Sequence, residues 1–323
     1  MTALALMLFA SILVFPARAS SRSEVQSFGV MGMVRPNAAP QRNASTADAS
    51  GRTSSTAARR RRLNLRYHGG PILAHSTPVA VFWDPNAAFP AGYEDTINRY
   101  FTDVANDSGG VQNVYSVAAQ YFDRRSNGTI KDHVKYSVAA GTPIVDTNAY
   151  PPNDCGVSGS QVCVTRSQIQ TELLTLGVTP GLDHVYFVFL PQGVETCAGG
   201  ACAYQAFCAY HSGFSVGGRT YLFAVEPFND VPVCRSGSHP NDSSADDAIN
   251  TVSHEHNETN TDPTMLGWYA SGLRENGDRC SWKFGPALGG SDATRYNQVI
   301  NGHFYWLQME WSNESVACRQ RGR

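Results

Sequence analysis

Charge is scarce in this sequence, and neither sign dominates. Only 16% of the 323 residues are charged, against about 25% in an average protein, and the formal net charge is −2. This near-neutral balance gives no electrostatic footprint for nucleic acid. Hydrophobic residues make up 42% of the chain, which excludes an intrinsically disordered protein. The composition therefore indicates a folded protein, and its low charge is typical of one that works outside the cytosol.

Several stretches lack the pattern that their chemistry would need. The glycine-containing stretch from 193 to 200 has neither the GxGxxG nor the GKS pattern of a phosphate-binding loop. Ser158-Gly159-Ser160 does not have the GxSxG spacing of a nucleophilic serine. The absence of any CxxC pair removes the support for a zinc ribbon or a thioredoxin-like site.

One long apolar run is present, and it lies at the start of the sequence. Residues 3–15 are apolar except for Ser11. The run is too short to cross a bilayer comfortably, since a spanning helix takes about 20 residues. Ala17-Arg18-Ala19 follows it, a small-x-small cleavage signature. We predict a secretory signal peptide over residues 1–19, with an uncleaved anchor as the alternative, and no membrane span after its removal.

Cysteine is absent from the first 154 residues, and the eight cysteines that follow are even in number. In an exported protein such cysteines form disulfides. We predict the pairs Cys155–Cys163 and Cys280–Cys318, with the other four cysteines pairing among themselves. Six N-x-[ST] sequons also predict a glycoprotein, although Asn257 lies inside the motif described below and is not expected to carry sugar.

The composition divides the chain behind the signal peptide into two parts. Residues 20–62 are rich in serine, alanine, threonine and arginine and close on the run Arg59–Arg62. Such a stretch predicts a disordered linker or a pro-segment, because it buries too little apolar surface to fold alone. The arginines fit a processing site, a tether to an acidic surface or a solvated stretch. Residues 63–323 are predicted to form a single globular domain.

Short β-branched and aromatic stretches predict strands at 77–83, 184–190, 219–225 and 304–311. The second is nearly all apolar, which predicts a central strand buried on both faces. Helical spacing appears over 93–105, 113–122 and 167–176. We therefore predict an α/β or α+β fold with a mixed sheet flanked by helices and stabilised by disulfides. The pattern does not choose between these two classes.

The segment from 244 to 262 carries the clearest chemical pattern. Ser244 and an acidic first turn predict the start of a helix, and Pro263 marks its end. The apolar residues of this helix fall on one side, whereas His254 and Glu258 point the other way. We therefore expect the helix to bury its apolar stripe and to aim His254 and Glu258 at another surface.

These residues form an HExxE motif, which resembles the HExxH motif of zinc peptidases. In that pattern His254 and Glu258 are metal ligands, and Glu255 is the general base that takes a proton from water. Asp278 is the preferred third ligand, because it lies beside a predicted disulfide. The motif also predicts a zincin-like arrangement around the helix. The competing interpretation is a set of solvated side chains, since three fixed positions arise easily by chance.

A carboxylate in place of the second imidazole affects the choice of ion. It weakens the case for zinc against harder cations, so we predict a divalent metal with zinc first and manganese or calcium as alternatives. His256 lies about 200° around the helix from His254 and is not expected to join the site. Among the scattered histidines, His211 is the best placed as an outside ligand.

Several stretches together resemble the EXORDIUM, or phosphate-induced protein 1, family of secreted proteins known chiefly from plants. The resemblance runs from about residue 67 to 312 and includes the HExxE position. Asp262, where plant members tend to have asparagine, and Arg279, in place of an apolar residue, depart from the pattern. The matching stretches are Tyr67–Leu73, Cys208–His211, Pro240–Asp242, Ser253–Glu255, Glu258, Pro263, Trp268-Tyr269, Gly277–Cys280 and Tyr305–Trp311.

The resemblance implies an extracellular or cell-wall protein linked to growth, and it raises the expectation of a metal at the HExxE helix. It implies no established catalytic activity. Two hypotheses follow. The first is a metal-dependent hydrolase of the peptidase type that acts on an extracellular polypeptide. The second is a non-catalytic protein that binds wall polysaccharide or a receptor. An open cleft beside His254 and Glu258 would favour the first, and plugged side chains would favour the second.

Overall fold

A computed structural model describes residues 24–33, 63–156 and 162–322. The helices are α1 (Tyr93–Asn106), α2 (Arg166–Thr175) and α3 (Ala245–Thr261), with the 3-10 turns η1 (Val114–Gln120) and η2 (Asp278–Cys280). The strands are β1 (Gln26–Met31), β2 (Arg66–Tyr67), β3 (Thr77–Trp83), β4 (Phe122–Arg124), β5 (Ile130–His133), β6 (Ile144–Asp146), β7 (Val162–Thr165), β8 (His184–Phe189), β9 (Val194–Ala198), β10 (Ala201–Cys202), β11 (Tyr210–Val216), β12 (Arg219–Glu226), β13 (Trp268–Tyr269), β14 (Gln298–Ile300), β15 (His303–Tyr305), β16 (Glu310–Ser312) and β17 (Ala317–Arg319).

A six-stranded mixed sheet forms the centre, in the order β1-β11-β12-β8-β3-β6. Strands β12, β8, β3 and β6 run parallel, whereas β11 pairs antiparallel with β12, and β1 with β11. The apolar run of β8 lies inside the sheet, between β12 and β3. This confirms the central strand predicted there, since parallel strands covered on both faces are apolar throughout.

Helices cover both faces of this sheet. On one face α1 and α3 pack on Phe82, Phe187 and Leu222. On the other, Ile169 and Leu173 of α2 pack on side chains of β3 and β8. The three α-helices lie within a residue or two of their predicted bounds, while the segment 113–122 forms the shorter turn η1. The predicted mixed sheet flanked by helices is thus confirmed, and it is of the α/β type.

The strand predicted over 304–311 is wrong as a single element. The structure has two short strands there, β15 and β16, which belong to different hairpins. Between them, the N–H of Leu307 donates to Asn297 Oδ1, and the N–H of Gln308 donates to Asn250 Oδ1. Side-chain acceptors thus replace a neighbouring strand at these positions, which alternating hydrophobicity alone does not reveal.

All eight cysteines are paired. Both predicted pairs, Cys155–Cys163 and Cys280–Cys318, are confirmed, and the remaining four form Cys197–Cys202 and Cys208–Cys234. Cys280 ends η2, so its disulfide fixes the loop that carries Asp278.

Part of the predicted linker belongs to the sheet. Residues 20–62 were assigned to a linker or pro-segment, whereas Gln26–Met31 form the edge strand β1. The segment joins the sheet because its apolar side chains are covered there. Phe28 and Val30 pack on the core, and Met33 is fully buried. The predicted signal peptide and the arginine run lie outside the described residues.

None of the helices in the described ranges is long and apolar enough to cross a membrane.

The start of α3 is fixed by a buried carboxylate. Asp247 is wholly buried and accepts hydrogen bonds from the N–H of Ser236 and, at 2.8 Å, from His239 Nε2. That hydrogen bond, together with the negative charge of Asp247, raises the pKa of the partly exposed His239 above its ordinary value.

This pair predicts a pH-dependent contribution to stability. A histidine whose pKa is raised on folding stabilises fully below its unfolded pKa of about 6.5, and the contribution fades as pH rises through the raised value. We expect His239→Gln to lower the free energy of unfolding by about 1 kcal/mol at pH 5.5. Denaturant unfolding at pH 5.5 and pH 8.5 checks this. A difference between wild type and variant that grew with pH would contradict the assignment.

Candidate metal centre

Helix α3 is buried along its whole length. All 17 residues from Ala245 to Thr261 are buried, although all but four of them are polar. The predicted apolar stripe does pack on the sheet, through Ala248, Ile249 and Val252. The opposite side was expected to face a surface and instead lies against residues 275–278, Gln308 and β11. Polar side chains this deep need partners within the protein.

The three predicted ligands lie together. His254 Nε2 is 3.1 Å from Glu258 Oε1 and 3.9 Å from Asp278 Oδ1, and one donor atom of each residue lies within 4.8 Å of the others. Ligand atoms about 2.1 Å from a tetrahedral ion are roughly 3.4 Å apart. The triad therefore has the dimensions of a metal site.

Asp278 reaches the helix because two features hold its loop. The Cys280–Cys318 disulfide fixes the loop at its C-terminal end, and the Asp278 N–H donates to Glu258 Oε1 at 2.8 Å. The Asp278 side chain keeps 11% exposure, whereas those of His254 and Glu258 have none. The triad comes nearest to solvent at Asp278.

Gly277 permits this approach. A Cβ at this position would lie 2.8 Å from His254 Nδ1 and 2.9 Å from Glu258 Oε1. Its backbone is in the ordinary right-handed region, so the requirement for glycine is steric. The loop can touch the helix at this point only without a side chain.

The predicted base lies beside the triad. Glu255 is fully buried, with Oε1 3.9 Å from His254 Nε2. Its Oε1 accepts the backbone N–H of Met33 at 3.1 Å, and its Oε2 has no hydrogen-bond donor among the described residues.

Gln308 contacts the His254 ring at Nδ1, whereas Nε2 faces Glu258. Its side-chain amide lies 2.7 Å from His254 Nδ1. Metal binding at Nε2 needs a proton on Nδ1 and an acceptor for it. In the structure the Gln308 amide nitrogen faces Nδ1, which is therefore the acceptor, and it also donates to the Gly277 carbonyl. A 180° rotation of the amide would present its oxygen to Nδ1 instead.

A second pair adjoins Glu258 on its other side. His211, on β11, has Nε2 2.9 Å from Glu275 Oε2 and 3.7 Å from Glu258 Oε2. His211 was singled out as an outside ligand, whereas Glu275 was missed. The only sequence signal for Glu275 is its place three residues before Asp278 in a loop with the Cys280 anchor.

The electrostatics of the cluster suit a cation. Burial raises the pKa of Asp278 to about 7 and lifts the pKa of Glu255 and Glu275 well above the ordinary range. In the described part of the chain, these carboxylates find their ion-pair partners in His211 and His254. Such a concentration of buried acid is stable when it is protonated or when a cation replaces the protons.

The neighbouring titratable residues have other roles. His256 lies on the far side of the helix and bonds to Ser76 Oγ and Tyr115 OH, and burial lowers its pKa to about 3. Asp262 caps the turn after α3 by accepting the Gly267 N–H. Buried Asn257 donates to the Ser253 carbonyl, so the folded chain does not present it for glycosylation.

The centre is closed. His254, Glu255 and Glu258 are fully buried, and a cavity of about 490 Å³ lies elsewhere, lined by Ser116, Gln120 and residues near the C terminus. Met33 forms part of the cover, through its N–H on Glu255. The open cleft that would favour a hydrolase is not found in this form of the described chain.

Comparisons of the chain with protein-family models, with curated proteins and with solved structures find no match.

The close contact at Gly277 predicts that Gly277→Ala disrupts the triad. The added methyl group must push the loop away from His254 and Glu258, which we expect to cost about 1–3 kcal/mol of stability. Bound metal, measured by elemental mass spectrometry, should fall at the same time. Gly156→Ala is the control, because a Cβ there meets no atom of the described part of the chain within 4 Å. Full metal content in Gly277→Ala would show that the loop does not take part.

Proposed function

We propose that the chain is a secreted, EXORDIUM-like protein whose HExxE helix binds a divalent cation through His254, Glu258 and Asp278, and that the centre belongs to a metal-dependent hydrolase of the peptidase type. One observation carries the proposal. Three residues predicted from the sequence as ligands, one of them 20 positions beyond Glu258, converge within metal-binding distance in a buried acidic cluster. Zinc fits the nitrogen and oxygen donors best, with manganese or calcium as alternatives.

The residues divide the work between binding and proton transfer. A bound divalent cation supplies Lewis acidity, which polarises a carbonyl group and lowers the pKa of water. Glu255 lies next to the triad, and its Oε2 has no donor among the described residues, so it is in the position of a base that takes the proton from the attacking water. With its amide turned so that Oε1 faces Nδ1, Gln308 would accept the Nδ1–H of His254 and leave Nε2 available for the ion. Strand β11, which pairs antiparallel with its neighbours beside α3, supports a zincin-like interpretation of the fold.

A second function has one observation in its favour. The complete burial of His254, Glu255 and Glu258 is what a structural ion in a non-catalytic protein would show. Such a protein would bind wall polysaccharide or a receptor through its surface. In both cases the disulfides and the predicted signal peptide support an extracellular place, in a cell wall or outside the cell.

The two functions differ in what Glu255 does. We expect His254→Ala and Glu258→Ala to lose the ion held by the triad, whereas Glu255→Gln keeps it, because glutamine retains an oxygen to accept the Met33 N–H. Under the hydrolase proposal, Glu255→Gln then loses 10²–10⁴-fold in peptide hydrolysis, roughly the contribution of a general base. Elemental mass spectrometry and a peptide-library assay, before and after limited cleavage at the arginine run, measure the two effects.

Each outcome points to one function. Metal retained and activity lost in Glu255→Gln supports the hydrolase. Metal present without activity in any form of the wild type supports the structural ion. A wild type that binds no divalent metal after reconstitution would sink both.

A further inference from the structure

Glu258 belongs to two groups of ligand-type side chains at once. The first is the triad His254, Glu258 and Asp278, and the second consists of His211, Glu258 and Glu275. Its two oxygens face different imidazoles, with Oε1 3.1 Å from His254 Nε2 and Oε2 3.7 Å from His211 Nε2. This is the placement of a carboxylate that bridges two ions.

Atoms without hydrogen-bond donors mark the second group independently. Glu258 Oε2 and Glu275 Oε1 have no donor among the described residues, and both side chains are fully buried. The hydrogen bond of 2.9 Å between His211 and Glu275 uses only Oε2 of Glu275. A buried carboxylate oxygen without a donor is costly, so each of these two atoms calls for a partner.

Charge balance points the same way. Four carboxylates, those of Glu255, Glu258, Glu275 and Asp278, meet around two imidazoles. Imidazoles that bind metal are neutral, so one divalent cation would balance two of the four negative charges and two cations would balance all four.

We propose that the centre is dinuclear, with a second divalent cation bound by His211, Glu275 and Glu258 Oε2, and with Glu258 as the bridge. The ligand is a cation that accepts mixed imidazole and carboxylate donors, such as zinc or manganese. Paired ions in such centres lie about 3.5–4 Å apart, which one bridging carboxylate can span. The inference rests on the proposed function, because the first site supplies the bridge.

Metal stoichiometry tests the second site in the full chain. After removal of metal with a chelator, reloading with zinc and desalting, we expect two ions per wild-type chain. His211→Ala and Glu275→Gln should each retain one ion, His254→Ala should retain one, and Glu258→Ala none. His184→Ala is the matched control, since this partly exposed histidine of β8, a strand of the same sheet, should leave two ions in place. Glu275→Gln keeps the side-chain shape, so the test survives if His211→Ala fails to fold.

The other results separate the two proposals. One ion in the wild type that persists in His211→Ala and Glu275→Gln would overturn the second site and leave the first intact, and one ion lost in every variant would overturn it too. No ion in the wild type would overturn both. In the manganese-loaded protein, an exchange-coupled electron spin resonance spectrum supports the pair, and an isolated-ion spectrum contradicts it.

A different observation concerns residues 24–33. Strand β1 pairs antiparallel with β11, and beyond it the Met33 carbonyl accepts the Cys208 N–H at 2.9 Å. The Met33 N–H donates to Glu255, the proposed base. An extended backbone thus runs along the edge of the sheet and ends on the metal centre.

The attachment of this segment to the domain is non-covalent. No cysteine precedes Cys155, so no disulfide links residues 24–33 to the domain. The arginine run at 59–62 lies between the segment and the domain in sequence. Without the segment, β11 would offer a free row of backbone donors and acceptors, which is a surface that fits an extended polypeptide.

We infer that the β11 edge is the polypeptide-binding surface of the proposed hydrolase and that residues 24–33 occupy it as an internal substitute, which keeps the centre closed. The inference deepens the proposed function by naming its substrate as an extended peptide. It also explains why the described form has no cleft at Glu255.

A pair of glycine variants of the full chain tests this. A Cβ at Gly32 would lie 2.5 Å from the Ala209 carbonyl oxygen, so Gly32→Ala must lift the segment from the sheet. Gly29→Ala is the control, because its Cβ would meet only the flexible Met265 side chain, at 3.3 Å. We expect at least tenfold faster hydrogen exchange at the β11 amides and tenfold faster release of zinc to a chelator in Gly32→Ala alone.

A synthetic peptide of residues 24–33 should reverse both effects when it is added to Gly32→Ala. Unchanged exchange in Gly32→Ala, or failure of the peptide to restore protection, would overturn the inference. The exchange measurement does not depend on metal, so it still reports on the segment if the proposed metal centre fails.

Discussion

A concentration of buried acid sets the condition that the rest of the structure has to meet. Glu255, Glu258 and Glu275 lie in the interior beside Asp278, with imidazoles as their ion-pair partners. Taking such charges out of water costs several kcal/mol each unless protons or cations compensate them. The surrounding elements pack around this cluster, and each contributes side chains to it.

Three separate parts of the chain meet there. Helix α3 contributes His254, Glu255 and Glu258 because its apolar stripe is fixed against the sheet. Strand β11, which lies between β1 and β12 in the sheet and contacts the helix, contributes His211. The loop before Cys280 contributes the remaining carboxylates, and it can approach because its glycine has no side chain and its disulfide holds the far end. The sheet therefore holds candidate ligand side chains from distant parts of the sequence close to one another.

What could be predicted from the sequence was local. The apolar runs of β3 and β8, the periodicity of α1 and the short-range disulfide Cys155–Cys163 depend on neighbouring residues, and they appear where expected. The HExxE spacing predicted His254 and Glu258 as candidate ligands, and the disulfide anchor led to Asp278. Glu275 and the β1 strand were missed because their partners lie far away in the sequence, which composition and periodicity do not report. The side of α3 that carries His254 and Glu258 was expected at a surface, because nothing in the neighbouring sequence shows that other segments cover it.

The pairing of β1 with β11 has a consequence for the order of folding. The strand at Gln26–Met31 is synthesised long before its partner at Tyr210–Val216, and joining them closes a loop of more than half the chain. Closing so long a loop carries an entropy cost that shorter-range contacts avoid, so local elements form first. The four disulfides, by contrast, span at most 38 residues and can close as the chain emerges. The sheet would then be assembled from its centre outward, with its earliest-made strand added last.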